Sequence, residues 1–150
     1  FVPEGSLRMR PDRLVIGEVR GAETVDMLQA FNTGHQGSLS TGHGNSTKDM
    51  LYRLETMVLM GMEIPAVAVR RQLASGIDLM IHLGRLRDKR RVLLEISEIA
   101  GYENDEIMLN PIFLFEENGV DDIGKILGTW KKVGELKHKE KLRMAGFLDD

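Results

Sequence analysis

Apolar positions along this chain follow two different rhythms, and the change comes near residue 79. Arg13 to Gly17 reads RLVIG, a short β-branched run preceded by Pro11-Asp12 and closed by Gly17, which predicts a fully buried strand of the parallel-sheet kind. From Ala22 to Asn32, Val25, Leu28 and Phe31 recur at every third position and predict a helix face, ended by Gly34. Gly37 to Thr41 (GSLST) predicts a second short strand, poor in large side chains. Ser46 and Asp49 form an [ST]-x-x-[DE] capping box. It opens a helix whose core face is Leu51, Leu54 and Val58, with Met50 and Met57 beside it. Pro65 starts another helix and Gly76 fits its C-terminal cap. Strand, helix, strand, helix, helix is the order of an α/β fold.

Beyond that point the period drops to two. Leu79, Ile81 and Leu83 alternate with more polar neighbours, as do Val92, Leu94 and Ile96, around the charged segment Arg87-Asp88-Lys89-Arg90. This predicts an antiparallel hairpin. Ile107 to Phe115 predicts a third strand, and Asn110-Pro111 within it argues for an edge position or a bulge. His138 to Ala145 predicts a short basic helix stopped by Gly146. There is no internal repeat and no low-complexity tract. The expectation is one domain over residues 7–150, a parallel α/β portion followed by an antiparallel β extension, with residues 1–6 a processing remnant or linker.

Composition changes this picture mainly by exclusion. With 150 residues the chain has room for one sizeable core. A net charge of -3 provides no global attraction to nucleic acid or anionic lipid, and aromatics at 5% offer few platforms for base stacking. The absence of cysteine excludes disulfides, thiolate catalysis and cysteine-ligated metal. No apolar run approaches the roughly 20 residues needed to cross a bilayer. Met50, Met57 and Met60 are expected as core fillers and Trp130 as an anchor for the extension. The basic stretches Arg85 to Arg91 and Lys131 to Lys141 are expected as a solvated turn and tail, or as contacts to anionic lipid or partner proteins.

Two segments carry candidate chemistry. In LVIGEVRGAE (Leu14 to Glu23), Glu18 stands at the C-terminal end of the first strand, where open α/β sheets bind ligands. The bland alternative is a capping or salt-bridged surface glutamate. In NTGHQGSLSTGHGNS (Asn32 to Ser46), His35 precedes a strand and His43 follows it, with Thr41 two residues before His43. An imidazole at a strand end can hydrogen-bond a terminal phosphate or orient water; a polar glycine-rich loop would need neither. The spacing of the two histidines and the glutamate matches no compact zinc pattern. Arg8, Arg10, Arg13 and Arg20 surround the first strand, and guanidinium forks suit phosphate oxygens, though solvated arginines would look the same. Gly42-His43-Gly44 is not a dinucleotide fingerprint, because Thr47 stands where the third glycine belongs.

Taken together, LRMRPDRLVIGEVRGAETVDMLQAFNTGH, GSLSTGHGNS, DMLYRLETMV and RRQLASGIDLMIHLGRL resemble the motor ATPases of type II and type IV secretion and pilus assembly, above all the Tad/Flp pilus branch. The resemblance covers Leu7 to Phe115. It implies a partial RecA-like P-loop NTPase domain, from the Walker B strand onward, with ATP and magnesium as cofactors. It also implies a cytoplasmic homo-oligomer, a hexameric ring, docked on an inner-membrane platform protein. Carried over, Glu18 resembles the Walker B glutamate that holds magnesium through water, and His43 the histidine-box residue near the γ-phosphate with Thr41 beside it. Arg20, Arg8, Arg10 and His35 fall at positions implied to face nucleotide or a neighbouring subunit. The chain departs from the family pattern at Gly42 and Gly44, which loosen the strand end before and after the histidine. No G-x-x-x-x-G-K-[ST] phosphate loop occurs, Gly124-Lys125 being followed by Ile126. In the family that loop lies upstream of the residues found here. An idle isolated chain with exposed sheet edges is therefore expected, or alternatively a non-catalytic module that binds ring subunits or the platform.

Overall fold

The computed structural model describes residues 9–35 and 37–148. It separates into two compact units, Phe1–Asp78 with Gly101–Ile107, and Leu79–Ala100 with Met108–Asp150. The change of rhythm near residue 79 thus falls at a real boundary. The expected remnant at residues 1–6 lies outside the described residues.

In the first unit, strands β1 (Val15–Ile16) and β2 (Leu39–Ser40) pair in parallel, Val15 opposite Leu39 and Ile16 opposite Ser40. Helices α1 (Thr24–Asn32), α2 (Thr47–Gly61) and α3 (Ala66–Gly76) pack pairwise against one another. β1 is not fully buried as expected. Leu14 and Ile16 are buried while Val15 is 77% exposed, so this short sheet has one open face. The face of α1 is also rotated from the expected one. Thr24, Met27, Leu28 and Ala30 are buried, with Val25 and Phe31 at its margins, because the partners are two helices and the inward stripe widens to meet both.

The capping box forms as expected: the Asp49 amide donates to Ser46 Oγ at 3.0 Å, and Asp49 Oδ2 accepts from the Asn45 amide at 2.8 Å. Leu51, Leu54, Met57 and Val58 are buried along α2, but Met60 is 68% exposed and fills no core. Gly76 ends α3 for a reason other than capping. A Cβ there would meet Asn32 Nδ2 at 2.8 Å, and Asn32 ties the two helix ends together by donating to the Leu28 and Gln72 carbonyls and accepting from Ser75 Oγ.

The tip of a long hairpin belongs to this unit as well. Asn104 and Asp105 both have positive φ (50° and 61°), as a two-residue type I′ turn requires. Arg70 forks onto Glu55 (2.8 and 3.0 Å) and donates to the Asp105 carbonyl, and Arg71 lies 5.6 Å from the Tyr102 ring centre. Helices α2 and α3 and the tip are thereby joined through two neighbouring arginines.

The second unit is a four-stranded antiparallel meander, β3 (Leu79–Arg85), β4 (Arg91–Glu103), β5 (Glu106–Val120) and β6 (Ile126–Lys132), in that spatial order. The expected hairpin is β3–β4. β5 is not an edge strand, and it runs through Asn110-Pro111 without a break. Its pairing with β6 begins only at Phe113, so the missing proline N–H falls outside that ladder. β6 was not foreseen. Trp130 does anchor it: its indole Nε1 donates to the Leu93 carbonyl at 2.8 Å and its ring tilts against Phe115.

The charged turn is less solvated than expected. Asp88 Oδ2 accepts from the Ile126 amide at 2.9 Å, and Arg90 donates to the Ile126 carbonyl, so this turn is fastened to the start of β6. Glu98, 2% exposed, accepts from the Lys137 and His138 amides (2.9 and 2.8 Å) and from Asn110 Nδ2 (2.9 Å). Those bonds clasp the segment leading to the short helix α4 (Glu140–Met144), which Gly146, with φ +76°, terminates. The α/β expectation with a C-terminal antiparallel extension is met.

Candidate functional site

β1 and β2 end side by side, and their parallel pairing sends both following loops off the same sheet end. The Val19 amide donates to the Thr41 carbonyl at 3.0 Å, and the Thr41 hydroxyl donates to the Gly17 carbonyl. These two bonds extend the pairing by one step and fix Glu18 opposite the glycine loop that carries His43. Val19, 3% exposed, roots the segment in the core, so Glu18 projects outward by simple alternation.

Glu18, Arg20 and His43 form one cluster. Arg20 Nη2 lies 2.6 Å from Glu18 Oε2, and His43 Nε2 lies 2.8 Å from Glu18 Oε1. The histidine contact is at ion-pair distance without being aligned as a hydrogen bond, and Oε1 is buried beneath it. The Glu18 side chain is 24% exposed, whereas His43 at 81% is open to solvent. Hydrogen bonding from Arg20 holds the Glu18 carboxyl below its ordinary range, against the opposing effect of desolvation and with a further contribution from His43. Arg20 is raised in turn by the same bond.

A residue that sequence reading missed shapes this cluster. Glu23 Oε1 accepts from the Arg20 and Gly21 amides at 2.7 and 3.1 Å, folding the turn between β1 and α1 so that Arg20 doubles back over Glu18. An acid just before a helix whose preceding turn carries a glycine was the available signal. The remaining candidates are not gathered here. His35 makes no bond to the cluster; its carbonyl accepts from Ser38 Oγ, and its Nδ1 is buried with no hydrogen-bond partner among the described residues. Arg10 is exposed, with φ 51°, and makes no hydrogen bond or ion pair with Glu18, Arg20 or His43. Arg8 lies outside the described residues. Arg13 lays its side chain against Gly37, beside β2. Among the described residues no cluster of histidine and carboxylate side chains is arranged to hold a metal ion by itself, and no helix is long and apolar enough to cross a membrane.

The chain as a whole has counterparts among known proteins. The family described as "Type II/IV secretion system protein" matches residues 4–124. The chain belongs to that family. Among its relatives, a "Putative conjugal transfer protein" of Mycobacterium tuberculosis (strain ATCC 25618 / H37Rv) is 46% identical over 98 residues, 65% of this chain and 28% of the relative. The conjugal transfer protein TrbB of Rhizobium radiobacter is 32% identical over 115 residues, 77% of this chain and 34% of its own length. Among solved structures, the VirB11 ATPase from the Brucella suis type IV secretion system, in complex with sulphate, superposes with a TM-score of 0.59 at 32% identity. That match covers 62% of this chain and 29% of the other. This secretion-family chain therefore spans about a third or less of the relatives it matches.

Proposed function

We propose that the chain supplies the Walker B and histidine-box side of an ATP site, in a hexameric ATPase that couples ATP hydrolysis to pilus assembly or protein secretion. The observation that carries this reading is the approach of Glu18, Arg20 and His43 within 2.6–2.8 Å at two adjacent parallel strand ends. The depressed Glu18 carboxyl is ionised at neutral pH, as an acceptor that orients a magnesium-held water must be. Bound magnesium would supply charge neutralisation for the nucleotide phosphates, with Glu18 the residue that would hold it. Arg20 holds Glu18 in one rotamer, and the exposed imidazole of His43 has the reach and donor to meet a terminal phosphate. Thr41 locks the two strand ends through its hydroxyl and its carbonyl, on the nucleotide side beside His43. Arg8, Arg10 and His35 are assigned to neighbouring-subunit or phosphate contacts on the strength of the family resemblance.

The sequence holds no phosphate loop, whose amides and lysine provide much of the grip on nucleotide phosphates. The isolated chain is accordingly inactive, and the working site includes a phosphate loop supplied outside these residues. The partners are further copies of the same protein in a ring and an inner-membrane platform protein, placing it in the cytoplasm against that membrane. No nucleic acid is among them.

The test is magnesium-dependent ATP hydrolysis, measured on the chain of this sequence and on a protein that joins it to its phosphate loop. The expected result is no turnover from the first, and turnover from the second that falls about 100-fold or more in Glu18→Gln. A magnesium-dependent rate from the chain alone that Glu18→Gln abolishes would overturn its inactivity. Full activity of Glu18→Gln in the joined protein would overturn the assignment of Glu18.

A further inference from the structure

His43 sits in a segment that has little to hold it. Thr41 is fastened to β1 on one side, and Asn45 and Ser46 are fastened to Asp49 on the other. Between them, among the described residues, the backbones of Gly42, His43 and Gly44 make no main-chain hydrogen bond. Two glycines flanking an exposed imidazole should leave it free to wander.

The space beside both glycines is nevertheless filled, and by one side chain. A Cβ on Gly42 would land on Met50 Cε, with Met50 Sδ at 3.3 Å. A Cβ on Gly44 would meet Met50 Cβ at 3.0 Å and its Cα at 3.2 Å. Met50 stands in the first turn of α2, which the Ser46–Asp49 box secures. Its root therefore underlies Gly44 and its tip underlies Gly42, spanning the histidine between them. An unbranched side chain with a terminal methyl beyond sulfur has that reach, whereas leucine stops one atom short.

We propose that Met50 is the positioning residue of His43, holding the Gly-His-Gly segment from beneath so that the imidazole stays against Glu18. The two glycines and the methionine form a matched set, with backbone surface on one side and a flexible apolar wedge on the other. Positions 42 and 44 then carry no side chain because Met50 already occupies the volume one would take. The meaning of this contact rests on the phosphate-facing role proposed for His43, but the contact itself is present in the nucleotide-free chain and can be measured there.

The experiment is proton NMR on the chain without nucleotide at neutral pH, following cross-relaxation between the His43 ring protons and the Glu18 γ protons. Thermal stability is recorded in parallel. Met50→Ala is expected to weaken that signal severalfold while the chain remains folded. Met50→Leu, which keeps the bulk at Gly44 and loses the tip at Gly42, is expected to fall between it and the parent chain; it serves as the main variant if Met50→Ala does not fold. Gly42→Val/Met50→Ala returns the lost volume from the other side and is expected to restore the signal, a coupling that simple loss of stability would not produce. An undiminished signal in Met50→Ala or Met50→Leu overturns the proposal. So does a double variant that is stable but does not recover it. Failure of the ATPase reading would leave all of these outcomes readable.

Discussion

The two compact units are stabilised by different means. Most of the buried apolar side chains lie in the first, where α1, α2 and α3 enclose Met27, Leu28, Val58, Val69 and Leu73, each at most 2% exposed. The meander contributes only Leu86, Ile99, Ile112 and Ile126 among the described residues, while Ile81, Leu83 and Trp130 are each more than half exposed. In place of a large apolar core it has fixed polar anchors: Glu98 under the chain at Lys137 and His138, Asp88 under Ile126, and the Trp130 indole on Leu93. An apolar core resists loss of volume in proportion to what is removed. A polar anchor fails abruptly when one partner goes, because the other partners are left buried and unpaired.

The largest test of that contrast is Leu28→Ala, which empties a fully buried position between helices and is expected to cost the first unit about 3 kcal/mol in chemical denaturation. Next is Glu98→Ala. It strands the Lys137 and His138 amides and leaves Asn110 with only the Glu135 carbonyl as acceptor, and an expected loss of about 2 kcal/mol should be concentrated in the second unit, visible as faster amide exchange at Lys137 and His138. If the first unit's amides were to lose equal protection, the division of labour would be wrong. Smaller again is Ser46→Ala, removing one cap of α2 at a cost of about 1 kcal/mol.

Acid sharpens the comparison further. Burial pushes the Glu98 carboxyl up, but the Lys137 and His138 amides and Asn110 together outweigh it and hold it below the usual 4.5. Its folded-state value is therefore the lower one. The stability it contributes is complete above about pH 4.5 and lost as pH falls through the folded value. Protection at Lys137 and His138 should decline over that acid range in the parent chain and show no such step in Glu98→Ala.

How much of this was legible beforehand follows from the same contrast. Helices α2 and α3 were readable because their starts carry chemical labels, a capping box and a proline, and their faces follow a single period. The strand-end positions of Glu18 and His43 were readable from strand order, and their choice as candidates came from the family resemblance. Arg20 gained its partner only in three dimensions, through the Glu23 turn. The unexpected elements are those whose burial depends on distant residues. The Leu-Gly-Thr-Trp stretch of β6 looks like loop until Phe115 lies opposite Trp130, and Pro111 looks like an edge signal until the β6 ladder is seen to start beyond it. The Met50 wedge was hidden for the same reason, since a helix position beside the core stripe reads as filler until the glycines above it are located.

Trp130 gives the molecule an unplanned optical division. It is the chain's single tryptophan and it lies in the meander, while α1, α2 and α3 lie in the other unit. Indole emission therefore reports on one unit and helical circular dichroism almost wholly on the other. Two spectra recorded on the same unlabelled sample during one melt would reveal whether the halves unfold as one cooperative body or in succession.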